Sequence, residues 1–189
     1  GTLSFDLARA LNVYGGFMVG AAPSTVMPRF DLSMVGGNFV TAPDGSQRIL
    51  GLIFRNRLSF LGPGTYRSPN TKTSLDGLVF ATGGCLTPHY DSAGLVLLFC
   101  TEFGVGGMKL RTTDLGGTLI QSKFVGFGSI GLGVEAQYNL TSLVNVGIKV
   151  GWDTYLGSPP WSAERSDGSR IFAAPSNSGY ALLGIGFRF

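Results

Sequence analysis

Few side chains in this sequence could carry out chemistry, and most of them are single charges between apolar neighbours. His89 has no second histidine to accompany it, so the chain offers no histidine pair for a metal site and no alternative catalytic base. We therefore expect no catalytic residue, no bound metal and no cofactor. The charged residues could instead pair with one another inside the fold; they are Arg55, Arg57, Glu102, Glu135, Lys149, Asp153 and Arg188.

The elements that must position these charges are β-strands, because apolar and polar residues alternate with a period of two. Phe54 and Phe60, for example, alternate with Arg55, Arg57 and Ser59, whereas helical periodicity is nearly absent. Eight strands are predicted, near residues 11–22, 30–41, 49–61, 75–87, 94–110, 123–139, 143–156 and 179–189.

The connections between the predicted strands alternate in length. Residues 42–48, 88–93 and 140–142 are short connections, whereas residues 62–74, 111–122 and 157–178 are longer and polar. The first connection, residues 23–29, is short and does not follow this rule. Residues 1–189 are predicted to form a single domain, in which residues 1–10 either extend the first strand or lie outside the sheet.

Composition decides which face of these strands meets water. The chain is 44% hydrophobic and only 13% charged, whereas soluble domains average roughly 25% charged residues. No apolar run approaches the ~20 residues of a membrane-spanning helix. The polar face is mostly Gly, Ser and Asn, which suits a narrow barrel interior better than a solvated outer wall. We therefore predict an all-β fold, an eight-stranded antiparallel transmembrane β-barrel of the up-and-down type. A soluble ligand-binding barrel is the alternative.

The last strand carries a family resemblance. Gly184, Phe187 and the final Phe189 resemble the carboxy-terminal signal of bacterial outer-membrane barrels, and the whole chain is similar in plan to small OmpA/OmpX/OmpW-like barrels. The resemblance implies a porin-like protein of the Gram-negative outer membrane with both termini in the periplasm. It also implies recognition by the barrel-assembly machinery during biogenesis, and contact with outer-membrane lipid or lipopolysaccharide.

Two further motifs are interpreted as structural. Gly126–Gly131 matches G-x-G-x-x-G, but the alternating residues that follow indicate a strand and not the helix that a dinucleotide site needs. His89 falls in the predicted 88–93 turn and is expected to be solvated there. The net charge of +3, without a basic block, argues against a nucleic-acid partner.

Cys85 and Cys100 lie on either side of the same predicted turn. Counting outward from the turn places Cys85 opposite about residue 96, so Cys100 is too far for ideal disulfide geometry unless a bulge or a longer loop intervenes. Two cysteines in an exported protein usually pair. We therefore predict a disulfide, with two small buried thiols as the alternative.

Two functions remain open at this point. In the first, the inward charges plug the barrel and the role is structural and interactive, with outer loops that contact surface partners or other subunits of an envelope complex. In the second, the charges line a narrow channel for small or apolar solutes, as in OmpW-like barrels. A lipid-modifying enzyme is a distant third, because no histidine is predicted at the outer rim. Candidate loop contacts in residues 157–178 are Trp161, Arg165, Arg170 and Phe172.

Overall fold

The fold consists of β-strands joined by turns. The computed structural model describes residues 4–41, 52–90 and 94–189. The strands are β1 (Ser4–Val19), β2 (Val26–Thr41), β3 (Leu52–Ser68), β4 (Thr71–Tyr90), β5 (Leu95–Asp114), β6 (Leu119–Asn139), β7 (Val144–Tyr155), β8 (Ser162–Glu164), β9 (Arg170–Ala173) and β10 (Asn177–Arg188). Among the described residues there is no helix with the length and apolar composition needed to span a bilayer.

Eight of the strands close into an antiparallel barrel in the order β1-β10-β7-β6-β5-β4-β3-β2. The barrel closes because β1 pairs with its sequence neighbour β2 on one edge and with the last strand β10 on the other. The predicted fold class is thereby confirmed. The short strands β8 and β9 form a separate hairpin, which was not predicted from the sequence.

The outer wall of the barrel carries an apolar belt, made of the outward-facing apolar side chains of its eight strands. Examples are Phe17, Phe54, Phe103, Leu132 and Leu183, each at least 60% exposed. Their partners in the alternation point inward and are mostly polar and buried. A closed sheet satisfies its own backbone hydrogen bonds, and its apolar outside matches lipid, so this arrangement is that of a membrane-spanning barrel.

The strands are longer than predicted at the end of the barrel opposite the termini. The 62–74 segment is mostly strand, because β3 and β4 continue to a tight turn at Pro69 and Asn70. Asn70 adopts the left-handed φ of 66° that this turn needs. The Gly62–Gly64 segment, which looks like a turn in the sequence, is a bulge within β3. The 111–122 segment likewise shortens to a turn between Asp114 and Leu119.

The turn between β4 and β5 was also misplaced. β4 continues to Tyr90, and His89 pairs with Leu97 within the sheet, so the prediction of His89 as a turn residue is wrong. A bulge between Leu86 and His89 shifts the register there. The predicted 42–48 connection lies outside the described residues. Residues 4–10 extend the first strand.

Glycines on the inner wall make room for large inward side chains. A methyl group added at Gly151 would overlap the Tyr180 hydroxyl, and one added at Gly184 would overlap the Tyr14 ring. By contrast, a methyl group at the outward-facing Gly15 would meet nothing within 4 Å.

We expect Gly151→Ala to destabilise the barrel by about 1–3 kcal/mol, because the inner wall would be overpacked against Tyr180. Gly15→Ala is the matched control and should leave stability within about 0.5 kcal/mol of the parent. Urea unfolding of each protein refolded into lipid vesicles measures both values. Equal unfolding midpoints for the two variants would show that Tyr180 has free space to move.

Candidate functional site

The middle of the barrel lumen holds a network of buried ion pairs, here called the charged network. Each member is at most 5% exposed. Four members are cationic and four are anionic, so their formal charges cancel: Arg29, Arg55, Arg57, Lys149, Asp31, Glu102, Glu135 and Asp153.

Asp31 is the most connected anion of the charged network. Its carboxylate accepts from Arg29 Nε at 2.9 Å and from Lys149 Nζ at 3.2 Å, with Arg57 Nη1 at 3.9 Å. Arg29 then reaches across to β7, where its Nη1 donates to Asp153 at 2.7 Å. The Arg29 guanidinium also stacks on the Tyr180 ring, 3.8 Å from its centroid.

The other half of the charged network joins β3 to β5 and β6. Arg57 Nε donates to Glu102 at 2.7 Å. Arg55 Nη2 lies 2.7 Å from Glu135 Oε1, an ion contact without hydrogen-bond alignment. Glu135 also accepts from Gln137 Nε2 at 2.8 Å. β3 is separated from β5 by one strand and from β6 by two, so these pairs join strands that are not neighbours in the sheet.

The structure brings together six of the seven charges that the sequence singled out. Arg188 is the exception and does not belong to the charged network. It follows Leu182, which pairs with Lys149, by six residues, or roughly 20 Å along the strand. Its Nη2 donates to Asn139, and it lines a small cavity of ≈ 40 Å³ at the end of the barrel that holds the termini.

Four inward residues were not predicted from the sequence: Arg29 and Asp31, and the two tyrosines Tyr14 and Tyr180. Arg29 was assigned to the first connection, but β2 begins earlier, at Val26. A usable signal was present, because Arg29 and Asp31 alternate with the apolar residues Phe30 and Leu32. The tyrosines look apolar in the sequence, and only the inner glycines opposite them hint that they point inward.

An aromatic cover closes the lumen at the end opposite the termini; it is formed by Tyr66, Phe127, Tyr155, Trp161 and Phe172. The Trp161 ring lies 5.0 Å from Phe127 and 4.8 Å from Tyr155, centroid to centroid. Its Nε1 donates to Ala21 O at 2.7 Å. Phe172 packs on Tyr66 at 4.7 Å. The connection between β7 and β10 therefore folds back over the barrel as the β8–β9 hairpin.

This packing corrects part of the predicted loop contact set. Trp161 and Phe172 are 2% and 4% exposed, so neither presents a free surface to a partner. Both are buried because the hairpin covers an apolar opening that water would otherwise reach. Arg170 is exposed and Arg165 is partly exposed on the outer side of the hairpin.

One ion pair clamps the hairpin to the barrel wall. Lys123 Nζ donates to Glu164 Oε2 at 2.7 Å, with both side chains about one-quarter exposed. The hydrogen bond from Lys123, together with one from Ser162, holds the pKa of Glu164 below its usual range. At neutral pH the Glu164 carboxylate is therefore ionised.

A small apolar layer lies on the other side of the charged network and contains the two cysteines. Cys85 and Cys100 are direct cross-strand partners, and their Sγ atoms are 2.07 Å apart, as in a disulfide. The expected partner near residue 96 was wrong, because β4 continues to Tyr90, which itself pairs with Val96, and the register shifts between Leu86 and His89. With Ile53, Val96 and Leu98, the cysteines form a buried cluster.

We expect no free thiol in the folded protein or in the protein unfolded without reductant. A polyethylene-glycol maleimide added in denaturant should shift the gel band only after reduction. The variant with Cys85→Ala alone is the control, because it should be labelled without reduction at its remaining Cys100. Labelling of the parent before reduction would favour the alternative of two buried thiols.

The closed barrel, its outward apolar belt and its filled polar lumen define the class of protein: an eight-stranded β-barrel of the outer-membrane type. Within the described ranges, no group of three His, Cys, Asp or Glu side chains is arranged to hold a metal ion.

Comparison with solved structures shows the same fold. A major outer membrane protein from Thermus thermophilus superposes with a TM-score of 0.68 at 15% identity, over 97% of this chain and 100% of that one. Ail, the attachment invasion locus protein of Yersinia pestis, superposes with a TM-score of 0.55 at 12% identity, over 97% of this chain and 98% of that one. That structure of Ail is a complex with the heparin analogue sucrose octasulfate. Neisserial surface protein A superposes with a TM-score of 0.54 at 12% sequence identity, over the full length of both chains. No protein-family model and no curated protein matches the chain.

Proposed function

We propose that this protein is a closed, non-enzymatic barrel of the bacterial outer membrane, with a structural and interaction role and with both termini in the periplasm. The observation that carries the proposal is the charged network. An ion that crossed the lumen would have to separate buried pairs such as Arg55–Glu135 and Arg57–Glu102, and then pass the aromatic cover. Each separation leaves a buried charge without its partner, which costs several kcal/mol.

Strand length supports this orientation. About 9–11 tilted residues cross the apolar core of a bilayer, whereas β4 and β5 have 20 residues each and β6 has 21. Their excess lies on the side of the aromatic cover, beyond the apolar belt. In outer-membrane barrels the longer connections face outward. We therefore place the ends of β4, β5 and β6 that extend beyond the apolar belt, together with the β8–β9 hairpin, outside the cell. They form the surface through which partners, including other envelope subunits, would be contacted.

A narrow channel is the second candidate, and one observation favours it. At the end with the termini, the side-chain polar atoms of Asn12 and Asn145 are buried without a hydrogen-bond partner in the protein. Buried amides of this kind are normally satisfied by water. Water that enters from this end meets the apolar layer of Ile53, Val96 and Leu98 before the charged network, so conduction would depend on opening this layer, the network and the aromatic cover.

Planar-bilayer recording separates the two candidates. We expect the refolded parent protein to give no discrete openings, and Arg55→Ala and Glu135→Ala to be equally silent, because the aromatic cover remains in both. Correct folding is established first by the heat-dependent gel mobility of closed barrels. A further variant combines Glu135→Ala with replacement of residues 158–175 by a short Gly/Ser turn, and it should conduct. Openings in the parent whose size changes with Arg55→Ala would establish the channel instead.

A further inference from the structure

Four exposed cations cluster on the outer wall, beyond the apolar belt on the side of the aromatic cover. They are Arg67 on β3, Lys72 on β4, and Lys109 and Arg111 on β5, here called the basic patch. The sheet register makes them neighbours: Arg67 lies directly opposite Lys72, and Arg111 lies opposite Ser74, two residues along from Lys72. These positions are brought together by pairing between three strands.

The basic patch carries an excess of positive charge. Among the described residues, none of its four members takes part in a salt bridge. Asp76 lies opposite Lys109 in the register, and the side chain of Asp114 nearby accepts from the Thr118 amide. Like charges placed directly opposite on neighbouring strands repel, so the Arg67–Lys72 pair would be stabilised by an external anion.

The position of the basic patch indicates which anion can reach it. The apolar belt lies next to the patch on the same outer face. Its nearest residues are Leu78 on β4 and Val105 on β5, and both are well exposed. Phe124, 72% exposed, lies directly opposite Lys109 in the register. A molecule with acyl chains on the belt would therefore hold its headgroup against the patch. Arginine binds phosphate with two parallel hydrogen bonds, and lysine adds a point charge.

We propose that the basic patch binds the phosphate groups of an outer-leaflet glycolipid of the lipopolysaccharide type. This inference rests on the proposed outer-membrane orientation, and it gives the interaction role a site and a ligand chemistry. The lipid is favoured over a soluble polyanion because the patch is continuous with the apolar belt on one wall. The β8–β9 hairpin, which carries Arg165 and Arg170, is separate from that wall.

The test uses the full chain in phosphatidylcholine nanodiscs that contain purified lipopolysaccharide, either with its lipid A phosphates or after dephosphorylation. The lipopolysaccharide retained by the protein is measured. The parent should prefer the phosphorylated form, and the preference should weaken with salt. The double variant Lys72→Gln/Arg111→Gln should lose roughly tenfold in apparent affinity, because each cation near an anionic surface contributes severalfold. Arg165→Gln/Arg170→Gln removes the same charge from the hairpin and should bind like the parent.

Equal retention of the two lipopolysaccharide forms would overturn the inference, and so would equal losses in the two double variants. Binding of sucrose octasulfate by the parent in lipid-free detergent as tightly as lipopolysaccharide would assign the patch to soluble polyanions instead. Channel recordings on the same preparation keep the proposals distinguishable. If the barrel does not conduct and shows no preference for phosphorylated lipopolysaccharide, the proposed lipid site is rejected and the closed-barrel proposal is retained. If the barrel conducts, the closed-barrel proposal is rejected, whatever the basic patch binds.

Discussion

Asp31→Asn should be among the most damaging single substitutions in this protein. The change keeps the size of the side chain but removes one negative charge from a site that contacts Arg29, Lys149 and Arg57. The lumen then holds four buried cations and three anions. Leaving a buried charge without its partner typically costs about 3–5 kcal/mol, so we expect a loss of that size in the free energy of unfolding in lipid vesicles.

Asp76→Asn is the matched control, because Asp76 is an exposed aspartate on the outer wall and its replacement should change stability by less than about 0.5 kcal/mol. A second variant tests the electrostatic cause directly. Adding Lys149→Met to Asp31→Asn restores a neutral lumen, so the double variant should be more stable than the sum of the single effects by about 0.5–3 kcal/mol. Strict additivity would mean that the Lys149–Asp31 contact carries no coupling.

Trp161→Ala should release the β8–β9 hairpin from the barrel. The substitution removes a fully buried ring that contacts Phe127 and Tyr155, and it also removes the hydrogen bond to Ala21. Large-to-small changes of this kind cost about 3–5 kcal/mol when the cavity cannot collapse. The rigid barrel wall limits collapse, so we expect the cost to appear mainly as detachment of the hairpin.

Limited trypsin digestion measures that detachment, because the hairpin carries Arg165 and Arg170. Cleavage at these two sites should be at least roughly tenfold faster in Trp161→Ala than in the parent, since local opening exposes the backbone to the protease. Trp152→Ala is the control: Trp152 is 54% exposed on the outer wall and lies outside the aromatic cover. Equal cleavage rates in both variants would show that Trp161 does not hold the hairpin closed.

The alternation of residues along the chain is enough to predict the architecture and most of the lumen chemistry. Phe54 and Phe60 point outward while Arg55 and Arg57 point inward, because successive side chains of a strand face opposite sides. This rule is local, so it can be applied without knowing which strands are neighbours. The scarcity of charge then shows that the apolar face meets lipid, and a closed barrel follows from the need to satisfy every backbone group there.

Which side chains meet one another depends on the folded barrel and could not be predicted from the alternation. The distance between Cys85 and Cys100 depends on where a turn ends, and bulges shift that register without a clear sequence signal. The contact between Arg29 and Asp153 spans residues 124 apart in sequence, and it depends on barrel closure. Trp161 was assigned to a polar loop, as its Pro- and Ser-rich neighbours suggest, but it covers the lumen because the open barrel end offers it an apolar site. Strand alternation follows from neighbouring residues, whereas pairing across a lumen depends on every strand that closes it.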